Sequence, residues 1–170
     1  MRKIALGSDH AGFRLKNAIL KHLEEKGIDC FDFGTHDEES IDYVRYGEKV
    51  GLAVTSDEYD LGILVCGTGV GISIAANKVS GVRAAVCSDI FTTVMSRKHN
   101  DANILALGAR TLGEGLALML VDAFLETEHE GGRHQDRVQM IHKLEDKCRR
   151  CMGRYASEAE SNPQLIEKYR

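Results

Sequence analysis

The apolar run Leu61-Gly62-Ile63-Leu64-Val65 stops at Cys66, meets glycines at 67, 69 and 71, and leaves as the small-residue segment 72–78. A strand that ends in a glycine-rich turn and restarts as a helix is a device for holding an anion. The helix start offers unpaired N–H groups and the positive end of the peptide dipole, and glycine lets the main chain come close to a ligand. A thiol and a hydroxyl, Cys66 and Thr68, stand at the same mouth. The loop Gly67-Thr68-Gly69-Val70-Gly71 lacks the Gly-x-Gly-x-x-Gly spacing of a dinucleotide site, and no Gly-Lys-Ser/Thr follows it. Alone it says that an anion can lie near a thiol, and it reads equally as a tight turn around a buried cysteine.

Around this stretch, strand-like and helix-like segments alternate. Residues 3–7 and 29–33 read as strands, as do 61–65, 82–87 and 103–107. Between them lie helical patterns. Leu15, Ile19 and Leu23 fall four apart before a closing Gly27. Val50, Ala53 and Val54 form a stripe within 43–56. Ser88-Asp89 opens a helix that carries Phe91, Val94 and Met95 and ends near Lys98. Ala117, Leu120, Val121 and Phe124 mark a helix over 114–126. This alternation predicts right-handed βαβ crossovers and an α/β fold: a Rossmann-like three-layer α/β/α sandwich with a five-stranded parallel sheet. Asp9 and His10 would follow the first strand, Cys66 the third and Arg110 the fifth, all at one sheet edge. His99-Asn100-Asp101 is expected in a turn.

A last helix opens at Arg133-His134-Gln135-Asp136-Arg137. Arg133 and Arg137 lie four apart on one face, a spacing that suits a phosphate and equally a solvated basic face. Ile141, Leu144, Cys148 and Cys151 continue at steps of three and four as an apolar stripe. The stripe reads both thiols as packing residues, on an extending C-terminal helix able to dock on a second subunit. A zinc site would need a second cysteine pair. The expected organisation is one domain over 1–152 and a C-terminal extension, frayed or surface-lying, over 153–170.

Composition closes off several classes. A net charge of −4 leaves no broad basic footprint for nucleic acid. No apolar run approaches the ~18–20 residues that span a bilayer. The first residues pass directly into a strand, unlike a secretory leader. The five cysteines are odd in number and scattered, which argues against a disulfide framework. The chain is expected to be cytoplasmic.

Four separated motifs occur together: Ser8-Asp9-His10-Ala11-Gly12, the run from Cys66 to Lys78, His99-Asn100-Asp101-Ala102-Asn103, and Gly131-Gly132-Arg133-His134-Gln135-Asp136-Arg137. Together they resemble the type B ribose-5-phosphate isomerases, a family that includes the galactose-6-phosphate isomerase subunits. The resemblance covers about residues 1–147. It implies an aldose–ketose isomerase without metal or cofactor, working on a phosphorylated sugar as a homodimer or tetramer with sites shared between subunits. It implies that Cys66 is the base moving a proton between C1 and C2, that His99 is the acid opening the sugar ring, and that Asp9 assists. Gly67, Thr68, Gly69, Val70 and Gly71 would form the anion hole. His10, Arg133 and Arg137 would hold the phosphate with Arg110 beside them, Asn100 would touch sugar hydroxyls, and Tyr43 would lie at the site. Val44 stands where the family usually has proline. The residues fit the chemistry: a thiol is a base as thiolate, which a helix N-terminus favours, and a histidine donates protons near neutrality. The alternative is an isomerase of another phosphosugar, such as a galactose, allose or tetrose phosphate, or a phosphosugar-binding protein without activity. The latter would need only the arginines and the glycine loop.

Overall fold

The computed structural model describes residues 2–161. The strands are β1 (Lys3–Ser8), β2 (Asp29–Asp32), β3 (Leu61–Cys66), β4 (Ala84–Val86) and β5 (Ile104–Gly108). They pair in parallel in the order β2-β1-β3-β5-β4. The helices are α1 (Phe13–Glu25), α2 (Tyr43–Thr55), α3 (Val70–Ala76), α4 (Ile90–Asn100), α5 (Glu114–Glu126) and α6 (Arg133–Ser161). The chain thus has the expected Rossmann-like α/β architecture.

The sheet is buried on both faces, so its central strands are apolar throughout rather than alternating. Successive side chains then divide between two cores. Ile4, Leu6, Ile63, Val65, Leu105 and Leu107 meet Ile19 and Leu23 of α1 and Leu120 and Phe124 of α5. Ala5, Leu64, Cys66, Ile104 and Ala106 meet Val50 and Val54 of α2 and Ile72 and Ala76 of α3. Each fully buried aliphatic side chain contributes about 1.5–3 kcal/mol. Arg97 of α4 stacks on the Phe124 ring and ties α4 to α5.

Strand order decides where a ligand can lie. From β1 the chain leaves through α1 toward β2, and from β3 it leaves through α3 toward β4, on the opposite face and in the opposite direction. The adjacent strands β1 and β3 therefore bound a crevice at the carboxyl edge, the switch point at which open α/β sheets hold ligands.

Two expectations change. His99 and Asn100 belong to the last turn of α4 rather than to a turn after it. The helix closes only at Asp101, whose left-handed φ of 44° is tolerated by aspartate and anchored by Arg83 and Arg97 at 2.9 Å each. The final helix runs without a break across residue 152 to Ser161, so the backbone does not change character at 153; residues 162–170 lie outside the described residues. Val138 and His134 of α6 are buried, whereas Ile141, Leu144, Cys148 and Cys151 are exposed. The stripe exists, but within this chain it is not a packing surface for the two thiols. Among the described residues no helix is long and apolar enough to cross a membrane.

Lys16 of α1 is fully buried and pairs with Asp32 at the end of β2. Asp32 also accepts from the Gly34 N–H at 2.8 Å. Removing one member of a buried pair strands the other charge, so this pair fixes the start of the loop that runs from β2 to α2.

Candidate active site

At the carboxyl edge, the ends of β1, β3 and β5 are stitched together by main-chain bonds. The Asp9 N–H donates to Val65 O at 3.2 Å, the Ala109 N–H to Cys66 O at 2.9 Å, and the Arg110 N–H to Gly67 O at 2.9 Å. Asp9 is buried and caps the following 3₁₀ turn, accepting from the Gly12 N–H at 3.0 Å. His10 lies half-buried beside it and accepts from the Ile41 N–H through Nδ1 at 3.2 Å. The same Nδ1 lies 3.3 Å from the Ile41 carbonyl oxygen, so the main chain at Ile41 fixes the ring's orientation.

Cys66 is buried on the α2/α3 side of the sheet, and its Sγ accepts from the Gly69 N–H at 3.1 Å. Two of the loop's glycines are required by the structure. Gly69 has a φ of 78°, and a Cβ there would stand 3.0 Å from the Leu107 carbonyl carbon. A Cβ at Gly71 would stand 2.8 Å from the Tyr43 ring and 3.1 Å from its hydroxyl. Tyr43 thus lies against the loop. Val44 falls in the first turn of α2, where main-chain N–H groups lack intrahelical partners. Proline and valine are both compatible with that position, and the helix starts at Tyr43 regardless.

Thr68 is exposed at the loop tip, with Oγ1 accepting weakly from the Val70 N–H at 3.4 Å. The Arg110 side chain lies over Gly67, 3.5 Å from where a Cβ would be. A cavity of about 400 Å³ adjoins the loop, lined by His10, Arg14, Glu38 and Arg110 among others; Cys66 is outside its lining. Arg14 and Glu38 form a two-pronged ion pair at 2.8 and 3.1 Å across it, which the sequence did not signal.

Two further cysteines, Cys30 and Cys87, pack at the core. Burial pushes the Cys30 thiol up to about 12, with Asp32 and Asp29 adding to the effect. Burial also pushes the Cys87 thiol up. Both are held as neutral thiols and are unsuited to take a proton.

The remaining expected residues stand elsewhere. His99 and Asn100 end α4 just before β5 begins, and Arg133 and Arg137 open α6 after α5 has returned along the sheet. These positions lie at the amino edge. Cys66 is level with Gly108, and His99 lies beyond Ile104, so strand rise alone separates them by about 13 Å. Within one chain the structure joins Asp9, His10, Tyr43, residues 67–71, Cys66 and Arg110. It does not join them to His99, Asn100, Arg133 or Arg137.

The amino-edge group has its own order. The His99 ring stacks on the buried His134 ring with centroids 4.0 Å apart and planes 1° from parallel. Glu130 Oε2 lies 3.8 Å from His99 Nε2 and 4.0 Å from His134 Nε2, while Lys98 holds Glu130 Oε1 at 3.1 Å. The Lys98 hydrogen bond, with lesser help from the two histidines, keeps the Glu130 carboxyl below its usual range. Burial, then the positive charges of His99, Arg133 and Arg137, hold His134 below the usual histidine range. Sequence reading assigned no role to Glu130 or His134, although Glu130 and His134 fall one helical turn apart beside Arg133.

His99, Glu130 and His134 offer ligand atoms within 4.8 Å of one another. Imidazole lone pairs lie in the ring plane, and a bound zinc sits ~2.0–2.1 Å from nitrogen. An ion in the plane of one of these parallel rings stands well outside the plane of the other, so the arrangement suits stacking and not metal binding.

Comparison with known proteins places this architecture. The ribose/galactose isomerase family model matches residues 4–141. The chain is 54% identical over 147 residues to ribose-5-phosphate isomerase B of Escherichia coli, covering 86% of this chain and 99% of that protein. It is 45% identical over 146 residues to a putative sugar phosphate isomerase of Bacillus subtilis, covering 85% and 98%. The solved structure of Clostridium thermocellum ribose-5-phosphate isomerase B superposes with a TM-score of 0.84 at 56% identity, covering 85% of this chain and 98% of that one. The Mycoplasma genitalium ribose-5-phosphate isomerase B with bound ribulose 5-phosphate superposes at 0.81 and 40% identity, covering 85% and 96%. The chain belongs to the ribose/galactose isomerase family.

Proposed function

We propose that this chain is an aldose–ketose isomerase that interconverts ribose 5-phosphate and ribulose 5-phosphate through an enediolate, in sites completed by a second copy of itself. The observation that carries the chemistry is the Cys66 sulfur held by a main-chain N–H inside a glycine loop. The Cys66 thiolate takes the C2 proton of the open-chain aldose and delivers a proton to C1. A hydroxyl proton moves from O2 to O1, with Asp9 and Thr68 beside the path, and the ketone is left at C2. Charge gathers on oxygen in between, and N–H groups of residues 67–71 already aimed at the site stabilise it without reorganising. His10 and Arg110 bind the phosphate.

The two-edge separation supports the self-assembled form. His99 as ring-opening acid, Asn100 on the hydroxyls and Arg133 and Arg137 on the phosphate serve this site only from another copy. Exposed apolar side chains beside the loop, Val70, Ile74, Val86, Ile90 and Phe91, give such a contact its surface. All five cysteines are unpaired, in keeping with a cytoplasmic enzyme.

The test is turnover of ribose 5-phosphate, galactose 6-phosphate, allose 6-phosphate and erythrose 4-phosphate with chelator present, for wild type and Cys66→Ala. Ribose 5-phosphate is expected to turn over, and the variant to lose about 10²–10⁴-fold, the worth of a positioned base. Preference for another sugar would overturn the substrate, and undiminished turnover in the variant would overturn the base.

A further inference from the structure

Two imidazoles share one carboxylate at the amino edge, and only one of them has a role in the reading above. We propose that His134 is a positioning residue for ring opening: its buried ring is the surface on which the His99 acid is held flat toward the sugar. This rests on the assignment of His99 as the acid.

Burial separates the two rings. His134 is 6% exposed, and its Nδ1 is buried with no hydrogen-bond partner, whereas the His99 side chain is 38% exposed. A second charge on a stacked ring pair is disfavoured by like-charge repulsion, and burial decides which ring goes without. The groups that face His134 agree. From α4 come His99 and, through Glu130, Lys98; from α6 come Arg133, whose Nε lies 3.5 Å from His134 Nε2, and Arg137; from the intervening loop comes Glu130. Two arginines and His99 oppose a proton on His134, and the one carboxylate among them is already held by Lys98. Of the two rings, His99 is the one exposed enough to reach a sugar. His134 supplies a fixed plane 4.0 Å away, which leaves the His99 ring little freedom to turn. Nearly parallel planes over a shared carboxylate are not what packing alone requires of a half-exposed side chain.

The reaction provides a selective readout. Ribose 5-phosphate closes to a furanose and must be opened. Ribulose 5-phosphate cannot close, because its 5-hydroxyl carries the phosphate. Exchange of its C1 proton with solvent deuterium needs the base and the anion hole but no ring opening. The experiment measures both rates in D₂O by NMR, on the full-length protein, for wild type, His134→Ala, His134→Phe and His99→Asn. His134→Ala is expected to lose tenfold or more in turnover of ribose 5-phosphate while C1 exchange on ribulose 5-phosphate stays within twofold. His134→Phe restores a buried plane without nitrogens and is expected to recover most of the loss. Turnover within twofold of wild type in His134→Ala would overturn the proposal. So would a parallel fall in turnover and exchange, the mark of a merely structural role, or a His134→Phe variant no better than His134→Ala. A His99→Asn variant that loses C1 exchange in parallel with ribose 5-phosphate turnover would instead break the assignment of His99 as the ring-opening acid.

Discussion

Cys66 and His99 stand at opposite edges of one sheet and are held by different means. The sulfur is fixed by main chain: β3 places it, the Gly69 N–H bonds it, and carbonyls of residues 65–67 accept from the neighbouring strand ends. The imidazole is fixed by side chains, by the His134 ring and by a carboxylate that Lys98 also claims. Main-chain placement resists drift because moving one atom means moving a strand. Side-chain placement is only as firm as the side chains that provide it, so His99 depends on the buried His134 ring and on Glu130. In the reaction proposed above, the step that demands fixed geometry, removal of a carbon-bound proton against a developing oxyanion, falls to the first kind of support. In the same proposal, ring opening falls to the second.

The largest effect comes from separating the two regions onto different chains. Cys66→Ala and His99→Asn proteins, each reduced at least about a hundredfold, are expected to regain about a quarter of wild-type activity when unfolded and refolded together in equal amounts. Half of the dimers would then be mixed, each with one intact site. No recovery would mean that the two edges never meet across an interface. Next, Gly69→Ala attacks main-chain support directly. The left-handed φ and the close Leu107 contact displace the N–H that holds Sγ. We expect kcat to fall about 10²–10³-fold, as for loss of one oxyanion donor, with a stability loss of ~1–2 kcal/mol from the backbone conformation. A near-wild-type kcat would show that the loop tolerates what the geometry forbids. The smallest effect concerns the side-chain edge. Glu130 has a carboxyl pKa below the ordinary value in the folded chain. The stability it contributes is therefore present above the unfolded value of ~4.3 and disappears as pH falls through the lower folded value. Glu130→Gln is expected to flatten the acid-side decline of the urea midpoint slightly, because an exposed bridge is weakly coupled to folding. An unchanged acid limb would deny the carboxylate any part in holding this edge.

Element order was legible because apolar runs and glycine stops mark buried strands plainly. The ends of β3 and α2 fall within a residue or so of where the pattern put them. Asp9, Cys66 and Arg110 were legible as neighbours for the same reason, since each follows a strand of one parallel sheet. The end of α4 was not, because an aspartate serves at a helix start, in a turn or, as Asp101 does, at a left-handed helix end. The exposure of Cys148 and Cys151 was also hidden: periodicity names a face of a helix but not what covers it. The split between edges could have been read by asking which end of its element each residue occupies. The stacking of His99 on His134 could not, for it joins residues on two helices with α5 between them in the chain.

The opposed departures from β1 and β3 have an evolutionary side. No helix or loop connection need pass over the gap between these strands, so one wall of it, the segment between β2 and α2, can lengthen or change without altering how the sheet is built. That wall is moored beneath by Lys16 and Asp32 and touches His10 through Ile41. A lineage could thereby refit the chamber for a longer or shorter sugar while inheriting the thiol and its glycine cradle untouched.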